Sequence, residues 1–333
     1  MKAIRIARYG EPTDVVTVDS IPEPAAPGTD EVNVVVEYAP VHPSDLLMIR
    51  GGAGRRPTMP ATLGQLPAVL GTEGVGRVTA VGPGVATVAV GDRVLTPFNY
   101  PSWAEVVTVP ARRLFPIPEG FDGPQLSMLT INPLTAYVML REFVALAPGD
   151  WVIQNAANSG VGRAVIAIAK AWGLRTVNVV RRPELVGELI ALGADVVLLE
   201  GADLRERVSL ATGGAEIKLG LDAVAGEATT SMAASLSAGA TLVSYGAMSG
   251  TPCALPPRLL IVNDLIVRGF WLVSWMERVS PEAMIQIQRE LLTLVDSGGL
   301  FIPVSAVVPL ADATTAMRHA VSGQGKIVIA VCG

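Results

Sequence analysis

Cysteine and histidine are nearly missing from this chain, with two of each in 333 residues. Cys253 and Cys332 lie far apart in no ligand-like spacing, which excludes a disulfide framework and a thiolate zinc site and leaves both as packing residues. No long run of like charge occurs, and a net charge of −5 provides no basic footprint. Nucleic acid is therefore excluded as a partner, and any anionic ligand must be held by local groups. No apolar run reaches the roughly 18 residues that span a bilayer, and the opening MKAIRIARYG lacks the unbroken apolar core of a secretory leader. These absences point to a cytoplasmic protein with neither membrane nor nucleic acid among its partners.

What is present suits a compact enzyme acting on a small molecule: 50% of residues are hydrophobic and 17% charged. At roughly 150 residues per domain, the length predicts two domains. Short β-rich runs broken by Pro and Gly fill the first 125 or so residues (VNVVVEYA, GVGRVTAVG, ATVAVGDRVLT, WAEVVTVP) and read as a barrel-like antiparallel unit. The rhythm changes at Asp150. DWVIQNA, RTVNVVR, DVVLLE, IKLGLDAV, ATLVSYGA and LIVRGFWL alternate with helical stretches, and their continuous apolar character predicts strands covered on both faces. The reading is an α/β doubly wound parallel sheet of about six strands, with helices ending at Gly173, Gly193 and Gly239. A helix in PEAMIQIQRELLTLVDSG and the runs FIPVSAVV and KIVIAV then return to the first domain. The expected division is 1–124 with 273–333, and 125–272.

The turn after the first strand of that sheet, NAANSGVGRAV, has Gly160 and Gly162 where a backbone must pass close to a pyrophosphate, and it opens a helix whose amides can take the charge. It departs from G-x-G-x-x-G, but its strand–turn–helix setting is the one the chemistry needs. The second strand ends in Arg181 and Arg182, where an NAD site places a carboxylate for the ribose 2′-hydroxyl. Guanidinium favours a 2′-phosphate, so the cofactor read from the sequence is NADP(H), against the alternative that both arginines form a solvated face.

With these pieces in place, the chain resembles the medium-chain dehydrogenase/reductase superfamily, and within it the zinc-free 2-enoyl thioester reductases of the mitochondrial enoyl-reductase type. PSDLLMIRG, GTEGVGRV, INPLTAYVML, NAANSGVGRAV, TVNVVRRP, SYGAM, DLIVRGFWLVSW and GQGKIVIAV carry the likeness. The resemblance implies a Rossmann NADP(H) domain beside a discontinuous β-rich GroES-like domain. It further implies that Asn158, Ser159, Gly160 and Val161 line the pyrophosphate and that Arg181 and Arg182 hold the 2′-phosphate. Tyr245, Gly246, Ala247 and Met248, with Phe270, Trp271 and Leu272, would flank the nicotinamide side. Asn132 and Lys326 are further cofactor contacts in that picture, and Thr135 lies close by. Core packing is the alternative for Phe270, Trp271 and Trp275. A homodimer is implied, with LIVRGFWL lengthening one sheet across a twofold axis.

Zinc-dependent members of the superfamily place ligands where this chain has His42, Thr72 and Ile131. A lone imidazole, even with Glu73 nearby, does not make the three-ligand set of catalytic zinc, so no metal is expected. His42 replaces the asparagine of an N-P-S-D motif and is read either as a proton donor or carbonyl-orienting group, or as a hydrogen-bonded wall residue. Asp45 is read as holding the turn and His319 as a surface residue. The family tyrosine that helps protonate or orient the thioester is missing, with Ala53 at the matching position, and Tyr100 is the alternative phenol. Arg55 and Arg56 would meet an anionic substrate or solvent. The expected activity is an NADPH-dependent, zinc-independent reduction of α,β-unsaturated carbonyl compounds, 2-enoyl thioesters first. A quinone or enone reductase of the same superfamily and a non-catalytic NADPH-binding protein stand as alternatives.

Overall fold

The computed structural model describes residues 1–52 and 65–332; Ala53, Arg55 and Arg56 lie outside them. Two compact units are present. The first comprises Met1–Ile131, Pro281–Arg289 and Ile302–Gly333, and the second comprises Asn132–Ser280 and Glu290–Phe301.

In the first unit the ten-residue strand Glu31–Pro40 is the hub. It pairs antiparallel with Gly74–Val81, with Val106–Pro110 and with Lys326–Ala330. Lys326–Ala330 also pairs in parallel with Val304–Pro309, and the helix Ala313–Ser322 makes the crossover between them. Valines at 32, 34 and 36 alternate inward on the hub and are fully buried, which is the period a half-covered strand requires. Trp103 is fully buried in the same core and donates its indole N–H to the Pro40 carbonyl at 3.1 Å.

The second unit is a six-stranded parallel sheet. Its spatial order is Val196–Leu199, Arg175–Val180, Trp151–Gln154, Ile217–Asp222, Thr241–Ser244 and Ile266–Gly269. The α/β doubly wound class expected from the sequence is therefore the fold. Ile153, Val177, Leu219 and Leu242 are fully buried between the helix layers, each worth about 1.5–3 kcal/mol in apolar area removed from water.

Helix ends follow local chemistry in two of three expected places. Gly193 caps Leu185–Leu192 at φ 115°, and Gly173 (φ 70°) follows Gly160–Ala171. The third differs: Glu227–Ala234 stops with Ser235 as its cap, and Gly239 serves a later turn in which its N–H donates to the Asn263 carbonyl. LIVRGFWL is likewise shorter as a strand than expected, because the ladder closes at Gly269 and Leu272 begins a short helix. Cys253 is exposed rather than packed, and His319 is half-buried rather than at the surface. The first stands in an exposed stretch with its thiol 3.7 Å from the Ser244 hydroxyl, while the second sits on the helix flank next to buried Ala316 and Met317.

Ala225 holds φ 65° in the turn after Ile217–Asp222, a left-handed conformation that a Cβ opposes. Ala225→Gly should raise stability by about 0.5–1 kcal/mol, since relief of that strain exceeds the extra chain entropy of glycine; equilibrium urea unfolding measures it.

Candidate active site

Two groups of functional side chains are built, one in each unit. In the second, the strand Trp151–Gln154 runs into the turn that opens the helix Gly160–Ala171. Ser159 is the N-cap, its hydroxyl accepting from the Gly162 N–H at 3.1 Å. Gly162 has no room for a side chain: a Cβ there would lie 2.5 Å from the Ala157 carbonyl oxygen. Asn132, buried at the start of Asn132–Glu142, places its amide against Gly160. Asn158, Ser159, Gly160 and Val161 form the half-buried rim of this turn.

A residue passed over in the sequence holds that rim. Arg163, buried on the following helix, donates through Nε to the Asn158 carbonyl at 3.1 Å and pairs with Glu188 at 2.7 Å. Its place one turn into a glycine-rich helix start was the available signal.

Arg181 and Arg182 are both exposed at the tip of Arg175–Val180. Arg182 faces Glu184 at 3.6 Å, whereas Arg181 has no partner among the described residues. The Tyr245 hydroxyl is buried without a hydrogen bond of acceptable geometry, although Ser159 faces it; burial and the Asp222 carboxylate raise its pKa. Gly246 is half-buried, while Ala247 and Met248 are exposed beyond it. Phe270 stacks edge-on with Phe143 at 5.8 Å, Leu272 is buried, and Trp271 is exposed. Thr135 is buried on its helix with no hydrogen bond from its hydroxyl among the described residues.

In the first unit three chain segments meet at the end of the hub strand. His42 follows that strand and caps the helix Pro43–Ile49. Glu73 immediately precedes Gly74–Val81, and Lys326 opens the last strand. The register brings Lys326 beside His42, because Val328 pairs with Pro40 and the Val41 N–H donates to the Ile327 carbonyl. His42 Nε2 lies 2.5 Å from Glu73 Oε1, and His42 Nδ1 lies 2.7 Å from Lys326 Nζ. The other Glu73 oxygen accepts from the Ile131 N–H at 2.8 Å, and Lys326 also donates to the Val41 carbonyl at 3.0 Å. Asp45 holds the turn, accepting from the His42 N–H at 2.7 Å and the Thr72 hydroxyl at 3.0 Å.

His42 is 3% exposed and Glu73 fully buried. Burial, then the Lys326 charge, pushes His42 well below the usual histidine range. Burial pushes Glu73 up to about 8 and Asp45 up to about 6, and pulls Lys326 down to about 8. Sequence reading set Glu73 aside as one ligand too few, and nothing in its spacing pointed to Lys326. Tyr100 is half-buried, packs against the first unit's core, and has no hydrogen bond from its hydroxyl among the described residues. Among the described residues no group of three His, Cys, Asp or Glu side chains is arranged to hold a metal.

Comparison with known proteins gives a consistent picture. Residues 160–289 match the zinc-binding dehydrogenase family model and 28–119 the alcohol dehydrogenase GroES-like domain. The human mitochondrial enoyl-[acyl-carrier-protein] reductase is 39% identical over 326 residues, spanning 96% of this chain and 85% of the relative. A Bacillus thuringiensis protein provisionally named an NADPH:quinone reductase superposes with a TM-score of 0.90 at 30% identity, covering 99% of both chains. The Etr1p enoyl thioester reductase of Candida tropicalis, solved with NADP and crotonyl-CoA, gives 0.87 at 26% identity and the same coverage. The human relative is mitochondrial by name, which overturns the cytoplasmic location expected from the sequence.

Burial raises Glu73 from the ordinary 4.5 to about 8, so its contribution to stability is full below 4.5 and lost as pH rises through 8. Asp45 acts in the same direction but only up to about 6; His42 acts oppositely below 6.5, and Lys326 acts oppositely from about 8 upward. Between pH 6.5 and 8 Glu73 therefore dominates within this cluster. Wild-type stability should fall across that interval and Glu73→Gln should flatten the fall, as read from urea midpoints at several pH values.

Proposed function

The chain belongs to the medium-chain dehydrogenase/reductase superfamily, in its zinc-free enoyl reductase branch, and from that premise we propose the reduction of α,β-unsaturated carbonyl compounds, 2-enoyl thioesters first, at the expense of NADPH. The observation that carries the cofactor half is the Asn155–Gly162 turn with Arg181 uncommitted at the neighbouring strand tip. A backbone that excludes any Cβ at Gly162, helix amides facing outward and a free guanidinium fit a pyrophosphate and a 2′-phosphate. The buried Tyr245 hydroxyl, which faces Ser159, adds a polar group beside that turn. The names of the human and yeast relatives supply the substrate class.

When bound, NADPH supplies the hydride. Asn158, Ser159, Gly160 and Val161, with Arg163 bracing them, hold its pyrophosphate, and Arg181 with Arg182 its 2′-phosphate. Asn132, Tyr245, Gly246, Ala247, Met248, Phe270, Trp271 and Leu272 shape the remainder of its site, with Lys326 as a further contact. Tyr100 in the first unit and Thr135 in the second each keep an uncommitted hydroxyl, and a hydroxyl that polarises a carbonyl stabilises the enolate that forms as the β-carbon is reduced. His42 has both ring nitrogens engaged, so its role is to position neighbouring groups.

Quinone reduction is the second reading, favoured by the Bacillus thuringiensis similarity and by the absence of the family tyrosine at Ala53. A homodimer is also proposed. Ile266–Gly269 is the exposed edge strand of its sheet, and Ile261, Val262, Ile266 and Val267 are exposed there. An apolar unpaired edge of this kind is a template for sheet extension; the Candida tropicalis relative was solved as a heterodimer.

NADPH oxidation followed at 340 nm with crotonyl and longer enoyl thioesters, enones and quinones, with NADH as control, tests the activity. Thioester turnover with NADPH is expected; turnover of quinones alone would select the second reading. Arg181→Ala should weaken NADPH binding by about tenfold to a hundredfold, the worth of a charge-assisted contact, while leaving NADH affinity unchanged. Light scattering after gel filtration should give twice the chain mass for wild type and the chain mass for Val267→Asp.

A further inference from the structure

Reduction of an enoyl thioester needs a proton as well as a hydride, and the family phenol that would help to provide it is replaced by Ala53. The first unit holds a chain of ionisable groups to which the reaction above gives no part in proton transfer. Glu73 and His42 lie inside the core, and the second Glu73 oxygen is closed by the Ile131 N–H. Lys326 is half-buried, the least enclosed of the three. An ammonium carries three N–H bonds. The Val41 carbonyl and His42 Nδ1 take two of them, and the third has no acceptor among the described residues.

The hydrogen-bond directions constrain the protons. An ammonium has no lone pair, so beside protonated Lys326 the His42 Nδ1 must accept, the ring is neutral, and its Nε2–H donates to the Glu73 carboxylate. Shifting each hydrogen one step along gives a Lys326 amine, the other His42 tautomer and a Glu73 carboxylic acid, with the same number of protons and every contact kept. Burial raises Glu73 and lowers Lys326, the direction that brings the uncharged arrangement closer to the charged one.

We propose that Lys326 is the proton donor to the α-carbon of the substrate, with His42 and Glu73 as positioning residues that hold its ammonium in place. As hydride adds to the β-carbon, the alkene electron pair moves to the carbonyl and forms an enolate. The enolate carbon then takes a proton from Lys326: one N–H bond breaks, one C–H bond forms, and a neutral amine remains that regains its proton from water. This inference rests on the reading of the chain as a conjugated-alkene reductase.

A comparison of two acceptors tests it, because hydride reduction of a quinone ends on oxygen and needs no carbon-bound proton. Lys326→Met, Lys326→Arg and the double variant Lys326→Met/Glu73→Gln, which leaves no unpaired carboxylate, are assayed with crotonyl-coenzyme A and with 1,4-naphthoquinone. NADPH affinity is measured separately by fluorescence titration. Loss of a general acid should lower kcat for the thioester by about 10²–10³-fold and for the quinone by less than about tenfold in all three variants. Arginine should not restore it, since guanidinium keeps charge and donors but does not release a proton. An equal fall on both acceptors, rescue by arginine, or full thioester activity in the variants overturns the proposal while leaving the proposed function standing. A wild-type enzyme that does not reduce the thioester overturns both.

Discussion

A carboxylate with no access to water has to be neutralised, and Glu73 is fully buried. The arrangement of the first unit around it follows from that requirement. His42 and the Ile131 N–H take its two oxygens, and Lys326 closes the far side of the imidazole. These groups come from four separated places in the chain and meet because the hub strand pairs with both the strand after Glu73 and the strand beginning at Lys326. Asp45 and Thr72 fix the backbone of His42 from behind. Lys326 also decides the character of the pair: with an ammonium against Nδ1, a cationic imidazole would have a donor facing a donor, so His42 and Glu73 do not form a simple ion pair.

The second unit depends on close approach of backbone rather than on buried charge. Gly162 packs against the Ala157 carbonyl, Ser159 caps the helix, and Arg163 ties the Asn158 carbonyl to the next helix through Glu188. A turn built this way presents amides and keeps its own side chains off the surface they face, as a phosphate-binding turn must. Arg181 stands exposed and uncommitted at the neighbouring strand tip, which is why the proposed 2′-phosphate contact is assigned to it.

The sequence was most legible where structure is local. All six strands of the parallel sheet were readable as continuous apolar runs, because a strand covered on both faces leaves no room for polar alternation. Gly173 and Gly193 were legible as helix ends because their positive φ is a local demand. Gly239 misled because a glycine in a later turn looks the same in sequence as a C-cap, and Trp271 because the ladder ended at Gly269, a choice made by the neighbouring strand. In the candidate site, the tight glycine turn and the exposed position of Arg181 at the strand tip were legible for the same local reasons. The surroundings of His42 were not: its partners stand 31 and 284 residues away, and only the pairing register brings them together. Cellular location lay outside the reach of composition altogether.

Nitrogen-15 NMR of the histidine rings tests the central claim most directly, since only His42 and His319 contribute. The buried chain requires His42 to remain neutral, with one nitrogen protonated and one accepting, through the whole interval in which an ordinary histidine titrates around 6.5. Two imidazolium-type nitrogens on His42 at neutral pH would contradict it, because Nδ1 could then no longer accept from Lys326 and the pair with Glu73 would be ionic.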